Sequence, residues 1–476
     1  MRALFLTVII IAIAIWLTPF IVENPVLIAV AAVSLALLIL ASTNIEAGLL
    51  ILLFVIPFSR QVSLAEAGGG APVDFGSDDF FIVCLFIIWL VYLGKSKQAP
   101  FVASPLTWPF LAYFGACLLS FIPMMMSGKG YPVLSFLHLV KWYEYVFIYF
   151  VLVKYLERRD QVIRFLILAL VSCALVAIFQ AAQITIGIFT GKTTGFTKWA
   201  TSSFESNGIL GAFYVFFLSI VVSLLVRVRR PKIRILLIIF AGLLSFTLFY
   251  TFARAAYLGM VVSLMVLGFF HRRRALFLGI IMLCLLPAVF SRAVSKRVAM
   301  TVHIDAKQMR QMQYQNLTGK IPYQSQKRLQ LILDQSSRER LINWARSRNI
   351  VYHHPVFGTG YWSGRYLGTF GFSTAHNFYL TVLIETGILG LLTFLWMGWS
   401  LVSRPLFFSY RTKDPLYDAL GKGFAAGFTG ILVHCFFGET FEAFRLTGPL
   451  WMMAGVVFAA IRIDESRQNI PESTQF

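Results

Sequence analysis

The chain has 476 residues, of which 58% are hydrophobic and only 13% are charged, and its formal net charge at pH 7 is +20. A soluble domain cannot bury so large an apolar fraction, so the composition excludes a soluble globular protein. Apolar runs long enough to cross a bilayer recur along the chain, without the polar and apolar alternation of transmembrane barrel strands. The sequence therefore predicts an all-α polytopic membrane protein.

The apolar runs, taken in chain order, lie at 3–22, 25–42, 46–58, 79–94, 105–122, 134–153, 162–186, 207–226, 235–252, 254–270, 275–290, 376–401, 419–437 and 449–462. Together they predict about 14 membrane spans. The run 46–58 is short and ends at Pro57, so a re-entrant segment there would reduce the number to about 12 or 13. The N-terminal run has no clear small-residue cleavage site, and we interpret it as a first membrane helix rather than a signal peptide.

Basic residues between the runs predict the orientation. With about 14 spans, every strongly basic connection falls on one side, and the loops on the other side are poor in Lys and Arg. The positive-inside rule makes the basic side cytoplasmic, so we expect a multi-pass protein of the inner (plasma) membrane with both termini in the cytoplasm. These loops explain much of the positive charge, and no nucleic-acid partner is predicted. The basic connections contain Lys95, Lys97, Lys154, Arg158, Arg159, Arg227, Arg229, Arg230, Lys232, Arg234, Arg272, Arg273, Arg274, Arg404, Arg411 and Lys413.

The long loop 291–375 lies on the outer, periplasmic face in this topology. Long segments cross the membrane regardless of charge, so its basic residues do not contradict the orientation. Apolar residues within 327–350 predict one or two amphipathic helices, which Pro355, Gly358 and Gly360 would end. We expect a cap on the outer membrane surface. Its basic side chains include Arg338, Arg340 and Arg365.

Arg254 stands between two apolar runs with almost no loop. An arginine at such a place is rare and usually pairs with an anion, and its planar guanidinium suits phosphate. The functional interpretation is an anion clamp that faces an outward cavity. The alternative is an interfacial arginine whose charged head reaches water.

His376 and Asn377 begin the predicted span after the long loop, on its outer side. Histidine titrates near neutral pH and can take a proton from a hydroxyl group, so His376 is a candidate general base. The alternative is a polar helix start at which Asn377 satisfies the end groups of the helix. Glu385 lies about two and a half turns further along the same helix, on another face, where we expect a structural role.

Several other polar residues carry weaker signals. Those at span ends on the outer side, which could line the same cavity or form structural pairs, are Glu205, Asn207, Glu439, Glu442 and Arg445. Lys141 and Glu144 have the spacing of a local ion pair within one helix. His353 and His354 have no suitably spaced carboxylate or cysteine, so no metal site is predicted there.

Motifs for nucleotides and metals are missing from the sequence. It has no Walker loop, no dinucleotide glycine fingerprint and no His-Glu-x-x-His, and its five cysteines all lie within apolar runs. No cofactor is therefore predicted. Clustered arginines and one histidine on the outer side indicate a substrate that is already activated. A sugar linked to a lipid diphosphate fits, because the arginines would hold the leaving diphosphate while the histidine deprotonates the acceptor hydroxyl.

Taken in order, several short motifs resemble those of the O-antigen ligase and polymerase superfamily of bacterial envelope glycan enzymes. The resemblance extends from Phe204 to Ser400. The family often has Ser or Thr before the first arginine and Gly after it, whereas this chain has Ala253 and Ala255. The motifs are Phe204-Glu-Ser-Asn207, Phe252-Ala-Arg254, Arg340 with Trp344, His354-Pro355 with Gly358-Thr-Gly360, Ala375-His-Asn377 and Glu385-Thr-Gly-Ile-Leu-Gly390.

The resemblance implies a metal-independent glycosyltransferase that moves a polysaccharide or oligosaccharide from undecaprenyl diphosphate to an acceptor on the periplasmic face. The acceptor would be lipid A core or another glycan; we favour a ligase, and a repeat-unit polymerase is the alternative. His376 would be the base, Arg254 and Arg340 would contact the diphosphate, and Asn377 and Asn207 would support the site. Arg338 and Arg365 are added as candidate substrate contacts.

The same resemblance divides the chain into three parts. N-terminal membrane helices (1–203) precede a ligase-like core with the periplasmic loop (204–400), and C-terminal membrane helices with a cytoplasmic tail follow (401–476). A transporter or flippase is the alternative of another class, and it predicts ionisable groups near mid-membrane and broken helices in related halves. In this sequence the ionisable groups cluster at span ends and no halves repeat, which favours the enzyme.

Overall fold

The computed structural model describes residues 44–59, 61–63, 74–96, 102–128, 131–190, 204, 206–272, 335–365 and 375–468. Over these residues the chain is almost entirely helical, as predicted. The helices are α1 (Ile45–Val55), α2 (Ser77–Ser96), α3 (Thr107–Ser127), α4 (Pro132–Tyr155), α5 (Arg159–Thr190), α6 (Asn207–Arg227), α7 (Pro231–Phe249), α8 (Arg254–Phe270), α9 (Gln335–His353), α10 (Phe378–Arg411), α11 (Pro415–His434) and α12 (Phe444–Gln468). Two short strands, β1 (Gln61–Ser63) and β2 (Asp74–Gly76), pair antiparallel.

Seven of the described helices are long and apolar enough to cross a membrane, namely α3, α4, α5, α6, α7, α10 and α12. The protein is therefore a multi-pass membrane protein. All described helices except α9 coincide with apolar runs of the sequence. The runs 3–22, 25–42 and 275–290 lie outside the described residues, so the total number of spans stays a prediction.

Glycines set how closely the central helices approach. A β-carbon on Gly427 of α11 would lie 2.8 Å from the carbonyl oxygen of Phe216 in α6. One on Gly259 of α8 would lie 2.7 Å from the carbonyl oxygen of Gly430 in α11. Helices in lipid associate largely through such close packing, because lipid chains are as apolar as the side chains they replace. α11 thus runs antiparallel to α6 and α8 and joins them.

Charged side chains from distant parts of the chain meet at one end of the bundle. Arg159 at the start of α5 pairs with Asp414, just before α11, at 2.5 Å. Arg227 at the end of α6 pairs with Asp418 of α11 at 2.5 Å, and Lys422 pairs with the same carboxylate at 2.6 Å. Basic connections thus gather at one end, in agreement with the predicted common side. Which membrane face this end occupies stays a prediction.

Lys141 of α4 reaches a carboxylate on another helix. Spacing indicated a local pair with Glu144, but the Nζ atom of Lys141 pairs with Asp79 in the first turn of α2 at 2.8 Å, and both side chains are buried. The Tyr145 hydroxyl donates to the neighbouring Asp78. Two buried charges are tolerated only when paired, so these contacts tie α2 to α4.

Helix α10, predicted as one continuous span, is broken at Gly387, where φ is 66° and ψ is −167°. Segment 355–363, here called the strap, lies against this break. The strap follows α9, which ends at His353 as the sequence predicted from Pro355 and the following glycines. Gly358 has a left-handed φ of 68°, and a β-carbon there would lie 2.4 Å from the carbonyl carbon of Glu385.

The strap replaces the helical hydrogen bonds that the break removes. In an unbroken helix the carbonyls of residues 384 and 385 would accept from the N–H groups of residues 388 and 389. Strap groups pair with all four: Thr359 N–H with Ile384 O at 2.9 Å, Gly360 N–H with Glu385 O at 2.9 Å, Ile388 N–H with Pro355 O at 2.9 Å, and Leu389 N–H with Val356 O at 3.4 Å. Irregular backbone at membrane depth is tolerated only where protein satisfies it, and the strap does so here.

Helix α9 confirms one of the helices predicted in the basic loop. The residues of that loop at 291–334 and 366–374 lie outside the described part of the chain. A cap on the outer membrane surface therefore stays a prediction.

Candidate functional site

The candidate residues lie at the end of the bundle opposite the ion pairs. Helices α6, α8 and α10 begin at this end, and α11 ends there. The N–H groups of a helix N-terminus are unpaired within the helix and carry a partial positive charge. Three N-termini at one end therefore favour an anionic ligand.

Asn207 is the first residue of α6. Ser206 caps this helix, since its Oγ accepts from the N–H of Ile209 at 3.2 Å. The Oδ1 atom of Asn207 is buried and forms no hydrogen bond with a described residue. A buried amide oxygen normally has a donor, so this atom is available to a cation or donor group at the site.

Arg254 is the first residue of α8, and no side chain caps this helix start. The preceding Phe252 has a left-handed φ of 53°, which turns the chain sharply between α7 and α8. Gly211 of α6 lets this turn come close, since a β-carbon there would lie 3.3 Å from Thr251 Oγ1. Arg254 is half-buried. This position is compatible with both an anion clamp and an interfacial arginine.

His376 and Asn377 directly precede α10. Asn377 is buried and caps the helix, because its Oδ1 accepts from the N–H of Leu380 at 3.2 Å. His376 is exposed and has a left-handed φ of 51°. Residues other than glycine rarely adopt such a φ, and those that do are common at functional sites. The N–H of Phe378 donates to the carbonyl of Cys435 at 2.8 Å, which holds this helix start against the end of α11.

Arg340 lies on α9, outside the central helices. Apolar residues of α9 pack against Ala375 and Ile384, on either side of the start of α10. Arg340 is half-buried, and its charge acts on the His434 ring at the end of α11. The fold thus brings Arg340 to the end of the bundle that carries His376.

His434 is a residue of this end that the sequence reasoning did not single out. It is the last residue of α11 and is buried. Its Nδ1 lies 2.8 Å from Thr440 Oγ1. Its Nε2 lies beside the start of α6, since a β-carbon on Gly208 would lie 3.4 Å from this atom. A histidine within an apolar run was the only signal in the sequence, and a core histidine gives the same signal.

Other polar residues from the sequence take structural places. Arg445 donates from Nε to the carbonyl of Ser59 at 2.5 Å, which fastens α12 to the turn after α1. Glu439 accepts from the hydroxyl of Thr381 at 2.9 Å, which joins the loop after α11 to α10. Glu385 is buried beside the break, and its backbone carbonyl is paired with the strap. The structural role expected for Glu385 agrees with this position.

Two other candidates are described only in part, and a third is not described. Arg338 lies in the first turn of α9 and Arg365 ends the short 3-10 turn Ser363–Arg365. The structure describes their backbone but not their side chains, so their substrate contacts stay predictions. Glu205 lies outside the described residues.

This end of the bundle combines two arginines, three helix N-termini and one exposed imidazole. Guanidinium groups and helix N-termini bind phosphate oxygens, and an exposed histidine can exchange a proton with a bound hydroxyl. Among the residues that the structure describes, no group of three His, Cys, Asp or Glu side chains is placed to hold a metal ion. The arrangement offers anion binding and proton transfer.

One segment of the chain matches a known protein family. Residues 239–395 match the family described as O-antigen ligase. The matched segment runs from α7 into the second half of α10 and contains Arg254, Arg340 and His376, whereas Asn207 and His434 lie outside it. No curated protein matches the chain.

Proposed function

We propose that the protein is a glycosyltransferase whose donor is a glycan on undecaprenyl diphosphate. Residues 239–395 carry a domain of the O-antigen ligase family, which supports assignment of the chain to the O-antigen ligase and polymerase superfamily. The family supports glycan transfer of the ligase or polymerase type in a membrane setting. The donor, the acceptor and the periplasmic face of the inner membrane are parts of our proposal. We favour a ligase that acts on lipid A core.

The proposed reaction uses Arg254, Arg340 and His376, which all lie within the matched segment. Arg254 and Arg340 would hold the diphosphate oxygens, and His376 would take the proton from the acceptor hydroxyl. The acceptor oxygen forms a bond to the anomeric carbon as the bond from that carbon to the diphosphate breaks. The electron pair of the broken bond leaves with undecaprenyl diphosphate, and the configuration at the anomeric carbon is inverted.

One observation carries this proposal. Arg254, Arg340 and His376 are far apart in the chain, yet their helices lie at the same end of the bundle, because α8 and α10 contact α11 there and α9 packs against the start of α10. Cations that attract a diphosphate and a base that accepts a proton must act on the same substrate. The reaction therefore requires these residues to lie close together, whereas purely structural roles would not require it.

A transfer assay tests the proposal. The purified protein in lipid nanodiscs is given an undecaprenyl-diphosphate-linked glycan and lipid A core, and the product is followed by gel. We expect His376→Ala and Arg254→Ala to lose transfer by at least about a hundredfold, the size typical of losing a general base or charge stabilisation. His271→Ala and Arg229→Ala, at the opposite end, are the matched controls. Normal transfer by both site variants would contradict the proposal.

The same assay separates ligase from polymerase. Lipid A core and a second lipid-linked glycan are offered separately as acceptors. Product on lipid A core supports the ligase, and product only on the second glycan supports the polymerase.

A transporter is the second candidate, and the break in α10 is the observation that favours it. Discontinuous helices line the substrate sites of many transporters. In this protein, however, the backbone groups at the break form hydrogen bonds with the strap, so they are not available to a substrate. Flux of a lipid-linked glycan across liposomes without transfer to an acceptor would support the transporter.

A further inference from the structure

A cleft opens between α10 and α12 at the end of the bundle that carries the ion pairs. Its volume is about 360 Å³, which falls within the range of about 300–1,000 Å³ typical of small-ligand sites. The second half of α10 forms one wall, the last turns of α12 form the other, and Pro105 before α3 lines the remaining side. The cleft therefore lies at the opposite end of the bundle from Arg254 and His376.

Contacts outside the cleft hold its walls in place. The guanidinium of Arg462 on α12 donates to the carbonyl oxygen of Leu156, after the end of α4, at 2.8 Å. Ser104, next to Pro105, forms a hydrogen bond with the hydroxyl of Tyr149 in α4. The end of α12 and the segment before α3 are thus both fixed to α4, so packed helices rather than a free loop form the cleft.

Two cationic and two anionic side chains line this cleft from opposite walls. Arg404 and Arg411 are seven residues apart on α10, so they lie on the same face about two turns apart. Asp464 and Glu465 line the cleft from α12. Among the residues that the structure describes, neither arginine forms an ion pair with either carboxylate. The lining therefore has no net charge, but its positive and negative groups are separated.

The cleft lies at the level at which lipid headgroups are expected. The two arginines follow the apolar run 376–401, and the two carboxylates follow the apolar run 449–462. An apolar run ends where the hydrocarbon of the bilayer gives way to headgroups. Trp399 and Phe407 also line the cleft and are exposed, and aromatic side chains are enriched at the headgroup level. A phospholipid can therefore place its headgroup in the cleft while its chains stay in the bilayer.

The separated charges of the lining distinguish between phospholipid headgroups. Guanidinium groups bind phosphate oxygens, and a primary ammonium group donates charge-assisted hydrogen bonds to carboxylates. Phosphatidylethanolamine carries both a phosphate and a primary ammonium group. Phosphatidylglycerol would leave the carboxylates without a cation, and the quaternary ammonium of phosphatidylcholine has no N–H group to donate.

We propose that this cleft binds the headgroup of one phosphatidylethanolamine molecule, with Arg404 and Arg411 on its phosphate and Asp464 on its ammonium group. The bound lipid joins the second half of α10 to the end of α12. The positive-inside rule explains basic residues at this end, but it does not explain the carboxylates on the facing wall. The inference goes beyond the proposed transfer reaction, because neither the donor nor the acceptor enters this cleft.

Lipid retention tests this inference. The full-length protein is placed in nanodiscs with equal amounts of phosphatidylethanolamine, phosphatidylcholine and phosphatidylglycerol, and the lipids that stay bound after release are counted by native mass spectrometry. We expect retention of phosphatidylethanolamine to exceed that of either other lipid by at least about tenfold, the effect of one charge-assisted hydrogen bond. Equal retention of phosphatidylcholine, or a preference for phosphatidylglycerol, would overturn the inference.

Two variants address the two ends of the headgroup separately. Arg404→Gln should lower retention of phosphatidylethanolamine and phosphatidylglycerol alike, by about tenfold, because both lipids carry a phosphate. Asp464→Asn should lower retention of phosphatidylethanolamine and shift the preference toward phosphatidylglycerol, because it removes the partner of the ammonium group and a negative charge. A merely structural role for Asp464 would lower retention of all three lipids equally.

Arg229→Gln and Glu157→Gln are the matched controls, at exposed positions of the same end outside the cleft. Both should retain lipids like wild type. Thermal unfolding checks that each variant folds, and the comparison of the three lipids on the wild-type protein needs no variant. Unchanged retention of phosphatidylethanolamine in both Arg404→Gln and Asp464→Asn would also overturn the inference.

Discussion

The backbone N–H of Gly360 donates a hydrogen bond at 2.9 Å to the carbonyl oxygen of Glu385, inside helix α10. This bond is possible only because α10 is broken at Gly387 and the strap lies against the break. The strap follows directly from α9, which carries Arg340, and α10 begins immediately after His376. The bond therefore connects the helix of one candidate site residue to the helix that starts at another.

Replacing Gly387 should disturb this connection. A β-carbon at Gly387 would lie 2.1 Å from the carbonyl oxygen of Val356. The φ of 66° with a ψ of −167° is a backbone conformation that essentially only glycine adopts, and it costs another residue about 1–3 kcal/mol. We expect Gly387→Ala to lower the thermal unfolding temperature and to reduce glycan transfer. The control is Gly242→Ala in α7, where the added β-carbon meets nothing within 4 Å. Equal stability of the two variants would show that the break does not need glycine.

The contact between α8 and α11 should control the position of Arg254. A β-carbon on Gly259 would lie 2.7 Å from the carbonyl oxygen of Gly430, so Gly259→Ala must push the two helices apart. Arg254 lies about one and a half turns away on α8, and such a shift in position commonly costs about a hundredfold in rate. The measurement is kcat/KM for the lipid-linked donor, with Gly115→Ala as the control because its β-carbon has open space. Unchanged kcat/KM in Gly259→Ala would mean that this packing does not position Arg254.

Asp418 should be important for stability but not for ligand binding. Its carboxylate pairs with Arg227 at 2.5 Å and with the buried Lys422 at 2.6 Å. Removing one partner of a buried pair leaves a buried charge, which costs about 3–5 kcal/mol. We expect Asp418→Asn to lose that much free energy of unfolding in a denaturant titration, while binding of undecaprenyl diphosphate is unchanged.

Two further variants sharpen the test of Asp418. The double change Asp418→Leu with Lys422→Met should recover much of the stability, because it removes both buried charges. Glu465→Gln, at an exposed carboxylate of α12, should change stability by no more than about 0.5 kcal/mol. A loss in Asp418→Asn as small as that of Glu465→Gln would contradict the argument.

The connection between α10 and α11 should make stability depend on pH. Burial alone would raise the pKa of Asp414, but hydrogen bonds from Arg159 and from the N–H groups of Leu416 and Tyr417 outweigh it and hold that pKa below its ordinary value. A carboxyl group with a lowered folded-state pKa stabilises the protein above the unfolded-state pKa, and this contribution is lost as the pH falls through the folded-state value.

Asp414→Asn should therefore lower the unfolding temperature at neutral pH and have less effect below about pH 4, where the unfolded carboxyl is already protonated. Thermal unfolding across this range gives the measurement, with Glu157→Gln at an exposed position as the control. An effect of Asp414→Asn that is the same at every pH would show that the charge of Asp414 is not responsible.

Several features could be predicted from the sequence because they depend on local composition. The described helices other than α9 coincide with the apolar runs, since hydrophobicity over one stretch is enough to place that stretch in lipid. Arg254 and His376 stood out because a polar group at a span end is unusual in such a chain. The family domain at residues 239–395 confirms the resemblance based on these motifs.

The break in α10 and the place of His434 could not be found in this way. The run 376–401 is predominantly apolar after its polar start, and its hydrophobicity does not distinguish a continuous helix from one in which a strap takes over some of the hydrogen bonds. His434 could not be distinguished from a core histidine in the sequence, and only the packing of α6 against α11 shows that its ring lies beside Gly208 at the start of α6.

The sequence by itself determined that this is a helical membrane protein with unusual polar groups at its span ends. Only the tertiary structure decided that the helices of Arg254, Arg340 and His376 share one end, and that Lys141 reaches Asp79 rather than staying within its own helix. The physical reason is that transfer into lipid depends on each segment alone. The partner of a polar atom depends on which helices pack together, and that is set by contacts between residues distant in the chain.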